Sequence, residues 1–401
     1  MTRRYGLVRY LFGAGAARTG DEMSGPALLL TATAITGTAS SGAALLSAVT
    51  ASAALGGPVL GVLLDHARHP GRLLAGALAA YAGALALVCW TLGELPLPAV
   101  LFLSLTGGLF APALASGWTS QLPHLTDPGH LPRAGALDAA SYEFAALAGP
   151  ALAGGVALAA GPQAALLTSV ALIVPALPAA WTLPGRADRA PRTSLNSAAA
   201  VPPPSVLADL RAGLTTLLRT RPLARATLAS TLSHAGLGAF TAGTPYLGAR
   251  AFGDQSAGAF LLAALALTSL AASLVLARRP VPARPDTVLL AGTVLLGAAF
   301  LVAAVEPLAG ALLAGLGAGP QLVALFAIRH REAPERLRGQ ILSTGASLKI
   351  SGYAAGAGTA ALCPPQATPL VATACQVLAV IAFLTLTRSA DRPETRPESC
   401  G

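Results

Sequence analysis

Several ionisable side chains lie inside long apolar stretches of this sequence, where charge is costly and is kept for a purpose. The first cluster is Arg18, Asp21 and Glu22, within an apolar run over residues 7–36. Asp21 and Glu22 follow Arg18 at i+3 and i+4, so on a helix both share its face. One acid then neutralises the arginine and the other is left to exchange a proton. The second group is Asp138, Tyr142 and Glu143, in the run 135–160. Asp138 lies near Arg133, and a pair between them is its plain reading. Glu143 is deeper, roughly 15 Å beyond Arg133 at helical rise, and an acid at that depth is suited to holding a proton or a cation. His234 in the run 223–250 is either a proton relay or a neutral packing group. Lys349 in the run 339–362 either pairs with an acid or meets an anion. The structural alternative for the first cluster is an inert ion network that locks helix one.

Other chemistry is not encoded. There is no phosphate-binding Gly-x-x-x-x-Gly-Lys-Ser/Thr loop, no Gly-x-Ser-x-Gly elbow and no His-Glu-x-x-His pair. Cys89, Cys363, Cys375 and Cys400 have no paired spacing, and the loop histidines make no metal set. No enzyme activity, cofactor or metal is expected.

These groups must be positioned by membrane helices. Charged residues make up 11% of the chain and hydrophobic ones 54%, with mean hydropathy +0.64; soluble proteins carry about 25% charged residues. Apolar runs long enough to span a bilayer fall near 7–36, 42–64, 73–93, 98–120, 135–160 and 163–183, then near 223–250, 256–277, 287–304, 307–328, 339–362 and 369–387. The basic start with Arg3 and Arg4 resembles a signal peptide, but the charges at 18–22 mark a retained first span. With the N-terminus inside, all but three of the 26 basic residues fall on cytoplasmic segments, the exceptions being Arg18, Lys349 and Arg250. That asymmetry places both termini in the cytoplasm. It also reads the net charge of +9 as a topology signal, with no nucleic-acid partner. Trp90, Trp118 and Trp181, near span ends, read as interfacial anchors.

Two stretches carry a family resemblance. Gly61-x-Leu63-x-Asp65 followed by Gly71-Arg72, between the second and third runs, resembles the loop between helices two and three of the major facilitator superfamily. His66 stands where that pattern has its first basic residue, and the second Gly-Arg arrives late. Gly149-Pro150-Ala-Leu-Ala153-Gly154-Gly155 resembles the superfamily's antiporter signature, with Ala153 in place of a glycine. A short Pro-x-x-Leu repeat, at Pro128 to Leu131 and Pro334 to Leu337, sets Lys349 within one residue of Glu143 in the equivalent position of the other half.

The resemblance implies an all-α integral membrane protein of 12 transmembrane helices in two six-helix bundles. The bundles would cover 1–183 and 223–388, joined by a cytoplasmic linker at 184–222 and followed by a tail at 389–401. Within the linker, Ser205 reads as the N-cap of an amphipathic helix with Leu207, Leu210, Leu214, Leu217 and Leu218 on one face. That helix is either a brace between halves or a simple connector. Gly61, Asp65, Gly71 and Arg72 are the expected gate, and Gly149, Pro150 and Gly154 the expected close-packing stretch between halves. Gly57, Gly352 and Gly356 also suit close helix crossings. The implied function is secondary active transport: proton-coupled efflux of a small hydrophobic or amphipathic compound by a monomer in a bacterial plasma membrane. The alternatives are a proton symporter importing a sugar or other metabolite, and a polytopic membrane enzyme or sensor.

Overall fold

The computed structural model describes residues 2–37, 39–184, 206–253, 258–278 and 284–388. The linker at 185–205 with its N-cap at Ser205, the loop residue Asp254 and the tail from 389 onward lie outside the described residues. Apart from one isolated bridge between Leu92 and Leu95, the regular structure described is helical.

Twelve spans follow in chain order. Spans one to three are α1 (Thr2–Thr36), α2 (Ala39–His66) and α3 (Pro70–Thr91). Span four is broken into α4 (Leu97–Gly108), a 3-10 turn at Ala111–Ala113 and α5 (Ser116–Gln121). Span five is α6 (Leu131–Ala160). Span six is α7 (Pro162–Ile173) and α8 (Ala176–Trp181). Both breaks fall at prolines, Pro112 and Pro175, which give up a backbone bond and crowd the preceding turn. The amphipathic α9 (Val206–Arg219) leads to α10 (Arg221–Phe252), α11 (Gly258–Arg278), α12 (Pro285–Ala303), α13 (Pro307–Glu332), α14 (Arg338–Ala361) and α15 (Thr368–Arg388). These are spans seven to twelve.

Among the described residues nine spans pass as apolar membrane helices on length and hydropathy; α1, α10 and α14 do not. Those three carry Arg18, Asp21 and Glu22, then His234, then Lys349. Their lowered hydropathy marks the helices that turn polar groups inward rather than toward lipid.

The N-terminal bundle packs around Tyr10, Met23, Leu28, Leu74, Tyr81 and Trp118. Trp118 is fully buried and meets Tyr10 edge-on at 5.6 Å, so it is a core residue and not an interfacial anchor; Trp90 and Trp181 are exposed. The C-terminal bundle packs around stacked Phe240 and Phe300, with centroids 4.9 Å apart. The bundles meet along two seams, α2 on α14 and α6 on α11. Bilayers give helices little hydrophobic reason to associate, so backbone contact through small residues carries such seams. On the first, a Cβ added to Gly61 would stand 2.5 Å from Gln340 Cα, and one on Gly57 would run into Ser347. Gly352 and Gly356 do the same work within the C-terminal bundle, against Thr231 and Ala235 of α10.

α9 lies against the start of α14. Leu217 is buried with Leu223, Leu337 and Ile341, and Gln340 Nε2 donates to the Leu210 carbonyl at 2.9 Å. Leu214 and Leu218 remain exposed, so the apolar face is narrower than the leucine spacing suggests. α9 touches α2 and α14 together, which favours the brace over the simple connector.

Candidate functional site

Arg18 does not pair with its helical neighbours. Its guanidinium crosses to α6 and binds Asp138, Nη1 to Oδ1 at 2.8 Å, with both side chains buried. Nη1 also reaches the Asp138 carbonyl and the Ser141 hydroxyl, and Nη2 reaches Thr119 Oγ1 at 3.0 Å. Tyr10 and Thr119 donate to the two Asp138 oxygens at 2.8 Å each, and the Tyr142 ring lies under the guanidinium at 3.7 Å. Two expectations are corrected together: Asp138 serves Arg18 rather than Arg133, and neither Asp21 nor Glu22 neutralises Arg18. A planar cation is satisfied best by several coplanar acceptors, and α5 and α6 supply more of these than the next turn of α1 does.

Freed of Arg18, Asp21 accepts from the Tyr81 hydroxyl of α3 at 2.9 Å, and Ser24 lies 2.9 Å from the same hydroxyl. Asp21 and Glu22 line a cavity of about 490 Å³ with Leu46, Ala53, Ser116, Ser347 and Ile350. Glu22 is exposed to it. The cavity takes the latter half of α1 and the first half of α2, the half of the membrane away from the arginine-rich end.

Glu143, Lys349 and His234 come together from three helices and both bundles. They line a pocket of about 90 Å³ with Ser233, Gln321 and a set of leucines. Glu143 and Lys349 are half-buried and act on each other electrostatically. Glu143 has the Ser269 hydroxyl of α11 within hydrogen-bonding reach and no direct ion pair among the described residues. His234 Nδ1 sits 2.9 Å from the Ser230 carbonyl one turn back, so its Nε2 faces the pocket. Gln321 Nε2 bridges Ser233 Oγ at 2.9 Å and Thr293 Oγ1 at 2.8 Å. The arrangement places an acid on one bundle opposite a lysine on the other, with apolar walls.

The arginine-rich end is closed. Asp65, buried at the end of α2, accepts from the backbone nitrogens of Gly339 at 2.7 Å and Gln340 at 2.9 Å. These are free donors at the N-terminus of α14, where a carboxylate is stabilised by the helix dipole. Ser116 and Ser343 hydroxyls lie 2.9 Å apart across the same interface, and Tyr142 packs on Phe326 at 5.5 Å. Arg72 takes no part in the described closure. It is exposed, and its guanidinium stands over the Trp181 ring at 5.5 Å, within its own bundle, while Gly71 admits the Ala180 carbonyl. The helix-five stretch also departs from expectation. Gly149 packs on Glu22 and Met23 of α1, a Cβ on Gly154 would meet nothing, and Pro150 is exposed; the stretch tightens one bundle rather than the seam between two.

Several groups at the site gave little sequence signal. Tyr10, Tyr81, Thr119 and Gln321 are uncharged. Arg329 sits in Arg329-His330-Arg331 at the end of an apolar run and reads as a loop cation, yet α13 continues to Glu332 and Arg329 is 1% exposed. Among the described residues no three His, Cys, Asp or Glu side chains are placed to hold a metal.

The chain matches the Major Facilitator Superfamily model over residues 10–357. It is 27% identical over 398 residues to an uncharacterized MFS-type transporter, y4rN, of Sinorhizobium fredii, covering 95% of each. Its fold is similar to that of the human organic anion transporter MFSD10, with TM-score 0.72 at 19% identity over 96% of this chain and 99% of that one. A bacterial homologue of the iron transporter ferroportin in the outward-facing state gives 0.73 at 16% over 96% and 99%. The Escherichia coli fucose:proton symporter FucP gives 0.71 at 14% over 96% and 99%. The twelve spans, the two bundles, the carboxylate latch and the family match agree: this multi-pass membrane protein is a transporter, not an enzyme, and belongs to the major facilitator superfamily.

Proposed function

We propose that the protein couples proton movement to export of a small hydrophobic or amphipathic compound by alternating access. The observation that carries this reading is Glu143, a half-buried acid without a direct ion pair among the described residues, facing Lys349 of the other bundle in one pocket. A proton on Glu143 removes its attraction for Lys349, so protonation changes the relative energy of the two orientations of the bundles. Asp21 and Glu22, on the cavity wall, are the second proton station. Asp65 and α14 hold the arginine-rich side shut. With that side cytoplasmic, as the arginine distribution supports, the conformation is outward-open. The protein then works as a monomer in the plasma membrane, with both termini inside, residues 1–183 and 223–388 as its moving halves and lipid as its solvent.

The test is accumulation of a panel of fluorescent compounds in a pump-deficient host, for wild type, Glu143→Gln and Asp21→Asn, with and without a protonophore. Export predicts lower accumulation, restored by the protonophore and by either substitution. Higher accumulation that collapses with the protonophore would instead mark proton-driven import.

A further inference from the structure

Arg329 has no counterpart in the mechanism so far. It is 1% exposed within α13, and its Nε and Nη2 have no hydrogen-bond partner among the described residues. Its guanidinium is seated on Gly345 of α14, where an added Cβ would stand 2.9 Å from Nη1 and would overlap Cζ and Nη2. Gly345 precedes Lys349 by one helical turn, so the two cations are stacked along one face of α14. Arg329 also lies within electrostatic reach of Lys349 and His234. The nearby acids do not balance this charge. Asp138 is committed to Arg18, and Glu143 can offset one of the two cations.

A buried guanidinium with bare N–H groups is costly until an acceptor arrives. Its coplanar donors fit a carboxylate in bidentate fashion, while an ammonium adds a point charge. Lys349 and Leu325, one helical turn before Arg329 on α13, line the pocket between the bundles, whose further leucines from α10, α11 and α12 suit an apolar body. We infer that Arg329 and Lys349 form a binding site for the anionic group of the cargo, a monocarboxylate on an apolar frame. Glu143 offsets the Lys349 charge through space while the site is empty, and the cargo carboxylate takes over that role. The inference rests on the export reading above, with the Glu143–Lys349 pocket on the cargo path, and names the charge of what it takes.

The test is equilibrium binding of radiolabelled benzoate to purified protein in nanodiscs by scintillation proximity, with benzamide and benzylamine as competitors of the same size. Saturable benzoate binding is expected, with benzamide about tenfold or more weaker as a competitor and benzylamine ineffective. Arg329→Gln and Lys349→Gln each weaken benzoate about tenfold or more, and Lys349→Arg retains most of the affinity. Thermal melting confirms that each variant is folded. Absent benzoate binding, benzylamine competing as well as benzoate, or unchanged affinity in both glutamine variants would overturn the inference. Binding needs no gradient, so this result and the proton-dependence of export can fail separately.

Discussion

The two bundles share one architecture and treat their buried arginines in opposite ways. In the N-terminal bundle Arg18 is held by Asp138, Thr119, Ser141 and the Tyr142 ring, and Asp138 by Tyr10 and Thr119 as well. In the C-terminal bundle Arg329 keeps bare donors among the described residues, and Lys349 interacts with an acid, Glu143, across the interface. A closed network fixes a structure; an open one is available to a ligand or to a second conformation. On that difference we propose architecture for Arg18 and Asp138, and transport for Glu143, Lys349 and Arg329.

The sharpest way to test that division is Glu143→Gln. Removing the charge that faces Lys349 is expected to lower concentrative transport by about 5- to 150-fold, the span of ordinary coupling energies, while downhill exchange of the same compound persists. Transport assays in proteoliposomes with and without an imposed pH difference check this. The next effect is on stability. Asp138→Asn leaves Arg18 as an uncompensated buried cation and should cost about 3–5 kcal/mol, whereas Arg329→Met removes a charge already without acceptors and should be neutral or stabilising. Thermal unfolding in detergent measures both, and equal losses would break the comparison.

Smaller effects are expected at the seam. Asp65→Asn weakens a charge-assisted contact at a helix N-terminus by about 1–2 kcal/mol, enough to move the gate population about 5- to 30-fold toward opening at the arginine-rich end. Spin labels at Arg68 and Arg336, in protein freed of its native cysteines, would report a longer distance distribution. Arg72→Ala should matter least, below about 1 kcal/mol, because that side chain stacks on Trp181 within its own bundle; a gate shift as large as that of Asp65→Asn would return Arg72 to the latch.

The architecture was legible because bilayer thickness and arginine placement leave few choices. Gly61 and Asp65 were legible for a related reason, since a glycine beside a carboxylate at a span end has few uses besides close approach and a helix cap. The partners of the buried charges were not. Helical spacing ties Arg18 to Asp21 and Glu22, but sequence distance cannot weigh those against an acid on another helix with three more donors and acceptors around it. Glu143 and Lys349 were linked only because a short repeat put them in equivalent places. Arg329 was hidden by its neighbours: flanked by His330 and Arg331, it looks like the start of a loop, and only the extension of α13 to Glu332 draws it inside.

The central claim, that Glu143 is a proton-exchanging acid of the interface, can be tested without knowing the cargo. Infrared difference spectra of the purified protein in lipid, recorded across a pH jump, report carboxyl groups that gain a proton. A protonated-carboxyl band that loses intensity in Glu143→Gln is expected. A band of full intensity in that variant would place proton exchange elsewhere and contradict the account.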